Sequence, residues 1–432
     1  MREVKSSRFL FLGHTLLRPA FFVLASLYFN PVSAQWDLRS SLQSDYFLVP
    51  SDLRYNNQWG LRLDVDNKSK SWALRMGAFL SPVKDTNWAF VDELYFSSGV
   101  WTVGKKRLDL FKTHPVEGVQ LTGRAMNLVA WEPLDPETQG LVQVSQKWRL
   151  TSQSFVDFGI APIWIPSLYA FPKQEGTRLF SPNRWSSLPP QSVNLNGRSF
   201  DLQLKQPRSE VLTDAFSSPR VWLILGHKNL RGLYTFGPET GYRTKTDGIL
   251  DFNSEDELIV NAQISAELFY AHLFGIQGSW QLTDSLKWVQ EVSGMYRLNS
   301  ADTAYFRSHL AQGSTGLILS ERIERVEIES WSAVVLTHRL SDQSVAENES
   351  FDSRFAQTIS VARAPFKVKF IYDRGFAHQD ERISTSASYE AAFGLFARLG
   401  LDLLRSKDGL GYWGRHQKAD RAQIILGYRA VF

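Results

Sequence analysis

Residues 58–67 read Gln58-Trp59-Gly60-Leu61-Arg62-Leu63-Asp64-Val65-Asp66-Asn67, and the order of side chains in that stretch decides the fold. Trp59, Leu61, Leu63 and Val65 take every second position, with Gly60, Arg62, Asp64 and Asp66 between them. Period two marks an extended strand, whose successive side chains point to opposite faces. One face is greasy and the other wet, over about ten residues. A typical globular strand has about five or six residues, whereas a tilted strand crossing a bilayer needs about 9–11.

The pattern recurs along the chain. Val142, Val144, Trp148 and Leu150 oppose Gln143, Ser145, Lys147 and Arg149, with Gln146 interrupting the apolar face once. Leu286, Trp288, Val292, Tyr296 and Leu298 oppose Lys287, Glu291 and Arg297. Phe366, Val368, Phe370 and Tyr372 oppose Lys367, Lys369, Ile371 and Asp373, and Leu395 to Leu403 alternates against Phe396, Arg398, Gly400 and Asp402. A water-soluble sandwich also alternates, with its apolar face inward. Strand length favours the membrane alternative, as does the position of Trp59, Trp72, Trp148 and Trp288 near the ends of apolar faces, where an interfacial girdle would sit. Lipid offers backbone N–H and C=O groups no partner, so a sheet in lipid must close on itself.

Composition agrees. The 432 residues include 14 Trp, 14 Tyr and 29 Phe and no Cys, which excludes a disulfide framework and thiolate metal sites. An aromatic-rich carbohydrate-binding core is the bland alternative on composition alone. Residues 1–34 carry Arg2, Lys5, Arg8 and Arg18, then the apolar run Ala20 to Phe29, then Asn30-Pro31 and Val32-Ser33-Ala34. This order reads as a secretory signal peptide cleaved after Ala34; the apolar run is too short for a spanning helix. Beyond it the chain holds 44 basic and 43 acidic residues, so the sequence pI near 9.0 reflects the leader and gives no footprint for nucleic acid.

Short and long connections alternate. Asn67-Lys68-Ser69, Ser97-Ser98-Gly99, Thr151-Ser152-Gln153, Thr283-Asp284-Ser285, Ala364-Pro365 and Phe393-Gly394 are short; Phe111–Gly140, Pro166–Gly197, Gly241–Glu257, Asn299–Ser314 and Ser406–Lys418 are long. The stretch Ser199–Glu257 is ambiguous. The expectation is an all-β chain: a signal peptide over 1–34, then a closed antiparallel transmembrane β-barrel over 35–432 with about 16–18 strands.

The chain ends Ile424-Ile425-Leu426-Gly427-Tyr428-Arg429-Ala430-Val431-Phe432. Its apolar, aromatic alternate face, ending at the terminal Phe, resembles the C-terminal signature strand of Gram-negative outer-membrane barrels. The resemblance implies that Tyr428 and Phe432 form the signal read by the barrel assembly machinery. A last strand of this kind would pair with the first, Trp36 to Phe47, whose wet face holds Asp37, Arg39, Gln43 and Asp45. Val91-Asp92-Glu93-Leu94-Tyr95-Phe96, a turn, and Trp101-Thr102-Val103-Gly104-Lys105-Lys106 resemble a hairpin of porin-like barrels, in which the following long loop often enters the pore. The resemblance implies passive diffusion of small solutes through an outer-membrane channel. It brings with it contact with outer-membrane lipid and lipopolysaccharide, and a homo-oligomer as one possibility.

Face assignment nominates Arg39, Arg62, Asp64, Arg75, Glu93, Lys147, Arg149, Lys287, Glu291, Arg297, Lys367, Lys369, Asp373, Arg398 and Arg429 as pore-lining. Basic groups outnumber acidic ones among the interior positions, which predicts a slight anion preference; pairing of these charges across the lumen is the equal alternative. The loop 111–140, with Arg124, Glu132, Asp135 and Glu137, reads as a solvated surface loop, with an inward constriction as the second reading. Asp251 to Glu257 is an acidic run without the ligand set of a Ca²⁺ loop. Gly409-x-Gly411-x-x-Gly414 lacks the βαβ context of a dinucleotide site. No cofactor, metal or catalytic motif is nominated, and His272 and His338 read as structural or interfacial. A membrane-embedded hydrolase and a plugged structural or adhesive barrel are the competing classes.

Overall fold

A computed structural model of the chain describes residues 35–49, 57–69, 71–82, 87–108, 110–116, 121, 126–127, 134, 137–138, 140–165, 173–175, 178–180, 192–195, 198–205, 218–239, 243–252, 258–267, 269–298, 309–340, 352–407, 411–414, 416 and 419–432. The leader and its cleavage site, Arg124, Glu132 and Asp135, and residues 253–257 lie outside them.

Eighteen strands form one antiparallel sheet that closes on itself. In chain order they are β1 (Gln35–Phe47), β2 (Asn57–Lys68), β3 (Trp72–Leu80), β4 (Trp88–Ser98), β5 (Trp101–Lys106), β6 (Leu141–Arg149), β7 (Ser154–Ile163), β8 (Arg220–His227) and β9 (Leu230–Pro238). They continue as β10 (Tyr270–Gln281), β11 (Leu286–Leu298), β12 (Leu310–Ile323), β13 (Val326–Arg339), β14 (Arg354–Arg363), β15 (Phe366–Gly375), β16 (Glu381–Glu390), β17 (Leu395–Arg405) and β18 (Arg421–Val431). Each pairs with the next, and β18 pairs back onto β1 from Asp37↔Val431 to Phe47↔Arg421. Backbone bonds between Trp36 and Phe432, at 3.1 and 2.9 Å, complete the seam. Closure leaves the sheet no edge, which is what a strand in hydrocarbon requires.

The expected short turns are all present at one end, with both sheet termini, and the long connections are at the other. The ambiguous stretch resolves into the hairpin β8–β9, joined by Lys228 and Asn229. Outside the barrel sheet, Ser192–Leu195 pairs with Arg198–Lys205, and Arg243–Phe252 pairs with Leu258–Glu267. Arg198–Lys205 also runs parallel to Leu258–Glu267, so the connections 164–219 and 239–269 share one four-stranded sheet.

Alternation sorts the side chains as the sequence requires. Leu61, Leu63, Val144, Leu336, Leu399 and Leu426 are exposed outward, and Val292 reaches 70% exposure in the middle of β11. Aromatic residues edge this apolar band. Trp36 meets Trp72 at 6.3 Å and Trp280 meets Trp288 at 5.2 Å toward the short-turn end. Tyr46, Trp59, Phe274 and Tyr296 stand exposed toward the other. His272 belongs to that second band: its Nδ1 lies 3.0 Å from the Tyr234 hydroxyl and its ring 4.7 Å from Phe236. The structural, interfacial reading of this histidine agrees with its surroundings.

Candidate functional site: the barrel interior

All the nominated pore-lining residues share the face of the buried side chains on their strands. Many are held by opposite charges. Arg62 Nε lies 2.7 Å from Asp64. Arg39 and Arg429 converge on Asp37, at 2.9 and 2.8 Å, and Arg429 also reaches Glu390 at 3.3 Å. Arg297, fully buried, bonds Glu239 at 3.0 Å. Glu291 accepts from Gln277 Nε2 at 2.7 Å. Arg75 stands opposite Glu93 in register, and the Lys147 ammonium lies 4.2 Å above the Phe155 ring. Lys287, Lys369 and Arg398 are half-buried, while Arg149 and Lys367 are exposed near the short-turn end.

The densest arrangement was only partly nominated. On six successive strands, β14 to β18 and then β1, basic and acidic side chains alternate in a row: Arg354, Asp373, Arg382, Asp402, Arg421, Asp45. Arg354 Nε bonds Asp373 at 3.0 Å, and its Nη2 lies 3.3 Å from Asp380. Arg382 lies 3.5 Å from Asp402. Arg421 bridges Asp402 at 2.9 Å and Asp45 at 2.8 Å across the seam, where Gln423 also donates to Asp45 at 3.0 Å. Each residue of the row sits within a few positions of the long-connection end of its strand. All are buried, because the connections fold down over them. The one-turn helix α1 (Gly411–Gly414) seats Trp413, whose backbone N–H donates to Asp380 at 2.7 Å and whose indole N–H donates to Asp373. Trp413 and Tyr412 pack with Phe47, Val116, Leu134, Val335, Ala356, Leu404 and Ala419 in a buried apolar cluster. Gly411 and Gly414 therefore belong to a loop seat, and Gly409 lies outside the described residues.

The connection 107–140 departs from the surface-loop expectation: its described residues run inside the barrel. The Phe111 N–H donates to Gln277 Oε1 at 2.9 Å on β10, and the Leu121 N–H donates to Gln312 Oε1 at 2.8 Å on β12. Thr113 and Ser314 share a hydroxyl bond of 2.8 Å. On the opposite wall the Leu134 carbonyl accepts from Arg382. The inward position has a physical cause. A buried backbone N–H must find an acceptor, and the wall supplies amide and hydroxyl oxygens where this segment passes. His114, fully buried in the same segment, accepts from the Val116 N–H at 3.2 Å through Nδ1. Burial strips the ring of water and pushes it down to about 4, against the opposing field of Asp373, so the imidazole is neutral at physiological pH. Glu137 contributes backbone pairing between Glu137–Thr138 and Met126–Asn127.

Arg382 escaped the sequence reading because β16 alternates Ser with Thr and Ala and shows little contrast between its faces, and Arg354 and Arg421 because each is the first residue of its strand, β14 or β18. Extending the alternation of each strand to its first residue is the signal that would have found them.

No protein-family model matches the sequence, and no curated protein matches it. Among solved structures, the chain is similar to Acinetobacter baumannii OccAB4, at 12% identity and a TM-score of 0.46, over 93% of this chain and 100% of that one. It is also similar to Pseudomonas aeruginosa OccK8 (OprE), at 10% identity and a TM-score of 0.44, over 93% and 98%. Pseudomonas aeruginosa OpdL gives 11% identity and a TM-score of 0.44, over 93% and 99%. At these values the likeness carries nothing about solute or mechanism, and the barrel assignment rests on the strand register itself.

Proposed function

We propose that this chain is a porin-like channel of the Gram-negative outer membrane, through which small solutes diffuse passively. The observation that carries the reading is the sidedness of a closed eighteen-strand sheet. An apolar band with aromatic edges faces outward, charged and amide side chains face inward, and one long connection crosses the enclosed space. The outward band suits hydrocarbon and lipopolysaccharide acyl chains. The inward charges would line the path of a hydrated solute, with the crossing connection as its narrowest point. Tyr428 and Phe432 at the seam fit the signal read by the assembly machinery, and part of the outward band could serve a homo-oligomer.

The surplus of basic side chains supports a slight anion preference, and the pairing of Arg62, Arg297, Arg354, Arg421 and Arg429 with carboxylates keeps that preference small. In a planar bilayer the purified protein should give ohmic steps, and a salt gradient should give a reversal potential of the sign set by anions. A cation-selective potential would overturn the preference. Folded, inserted protein that never conducts would overturn the channel and favour a plugged barrel, a second reading supported by the buried apolar cluster around Trp413.

A further inference from the structure

Two adjacent carboxylates, Asp92 and Glu93, interrupt the alternation of β4. In a regular strand one of them would face lipid. Here the β3–β4 register slips, with Arg75 opposite Glu93 but Met76 opposite Val91. Asp92 is the extra residue of a β-bulge, which turns two successive side chains toward one side of a sheet. Asp92 is fully buried, Glu93 is half-buried, and the next residue, Leu94, is exposed outward.

Both residues hold the connection 107–140 at its ends. Where the chain leaves β5, the Arg107 N–H donates to Glu93 Oε1 at 3.1 Å, and the Arg107 guanidinium lies 3.4 Å from Asp92 Oδ2. Where the chain returns to β6, the Gly140 N–H donates to the Asp92 carbonyl at 3.1 Å. The Lys105 ammonium caps the Val91 carbonyl beside them. Gly104 permits the close approach: its φ is +120°, and a Cβ there would collide with the Leu94 carbonyl. One irregularity thus grips the two feet of a connection whose residues Phe111, Thr113 and Leu121 are docked on β10 and β12 by Gln277, Ser314 and Gln312.

We infer that the bulge at Asp92–Glu93 is the positioning element of the inward connection, fixing the angle at which it enters the barrel and so the width of the passage. The bonds to β10 and β12 can form only if the connection leaves the sheet in the right direction, and that direction is set at its feet. Bulges re-aim chains in this way at functional positions. The conductance consequence rests on the channel reading; the positioning does not.

The absence of native cysteine makes the test direct. Thr113→Cys places a single thiol on the inward connection, at a residue that is fully buried. Maleimide labelling of the folded protein in detergent is then compared in the parent, Asp92→Asn and Arg107→Gln backgrounds. Labelling at least tenfold faster in both variants is the expected result, together with larger and noisier bilayer steps. Unchanged labelling overturns the inference. A bulge that only stabilised the barrel would lower its unfolding midpoint without exposing residue 113, which also overturns it. If Asp92→Asn does not fold, judged by the heat-induced gel shift, Arg107→Gln decides, because residue 107 lies beyond the end of β5. Silence of every protein in the bilayer counts against the channel, while the labelling rates still decide the positioning.

Discussion

The wall of β14 to β18 with β1 and the wall of β10 to β12 both hold the connection 107–140, by opposite means. The first carries alternating guanidinium and carboxylate groups, Arg354 through Asp45, and offers the connection a guanidinium at Leu134. The second offers neutral side chains: Gln277 and Gln312 accept backbone N–H groups, and Ser314 meets Thr113. A charged row fails together, since Arg354 and Arg421 each neutralise two carboxylates and Arg382 shares Asp402 with Arg421, so the loss of one member strands its neighbours. A neutral docking wall is a set of separate bonds, each of modest worth. The difference predicts cooperative failure on one side of the barrel and local failure on the other.

The sharpest break should come at Arg421. Arg421→Met leaves Asp45 and Asp402 buried together without their shared cation, a situation that costs about 3–5 kcal/mol. Urea unfolding followed by tryptophan fluorescence should show it, and Arg421→Met with Asp45→Asn should recover part of the loss, because Asp402 keeps Arg382 at 3.5 Å. A variant as stable as the parent would erase the distinction between the walls. Gln312→Leu should cost less, about 1–3 kcal/mol for a buried N–H left without an acceptor, and should add independently to Ser314→Ala. Cooperative loss there would mean that the neutral wall also acts as a unit.

A third effect is absent at neutral pH and grows only in acid. His114 titrates near 4 in the folded protein against about 6.5 unfolded. The unfolded chain therefore binds the proton first, and stability present above pH 6.5 declines as pH falls toward 4. Protonation also turns Nδ1 into a donor facing the Val116 N–H. His114→Gln should flatten the unfolding midpoint between pH 6.5 and 4; an unchanged slope would place the acid sensitivity elsewhere.

The wall itself was readable because lipid and water enforce contrast between faces. Where contrast was strong, as in residues 58–67, 286–298 and 395–403, the strands, their inward residues and the turns between them followed from period two. Where both faces are small and polar, as in Ile383-Ser384-Thr385-Ser386-Ala387-Ser388, nothing marks Arg382 as the start of an inward row. The inward course of 107–140 had no periodicity to betray it. It depends on Gln277, Gln312 and Ser314 lying opposite in space, at separations of 166 to 201 residues from their partners. Asp92-Glu93 was visible as part of a hairpin resemblance, but its register slip was not, because a bulge is a property of two strands.

The shared sheet beyond β7 to β10 ties together connections that lie far apart in the chain. Residues 202–205 lie parallel to 260–263, and the hairpin β8–β9 lies between them in the chain. This appendage therefore pairs two segments that the whole hairpin β8–β9 separates in the chain. Once formed, it couples the two connections mechanically, so that a protease cutting one of them leaves the severed piece tied to its neighbour.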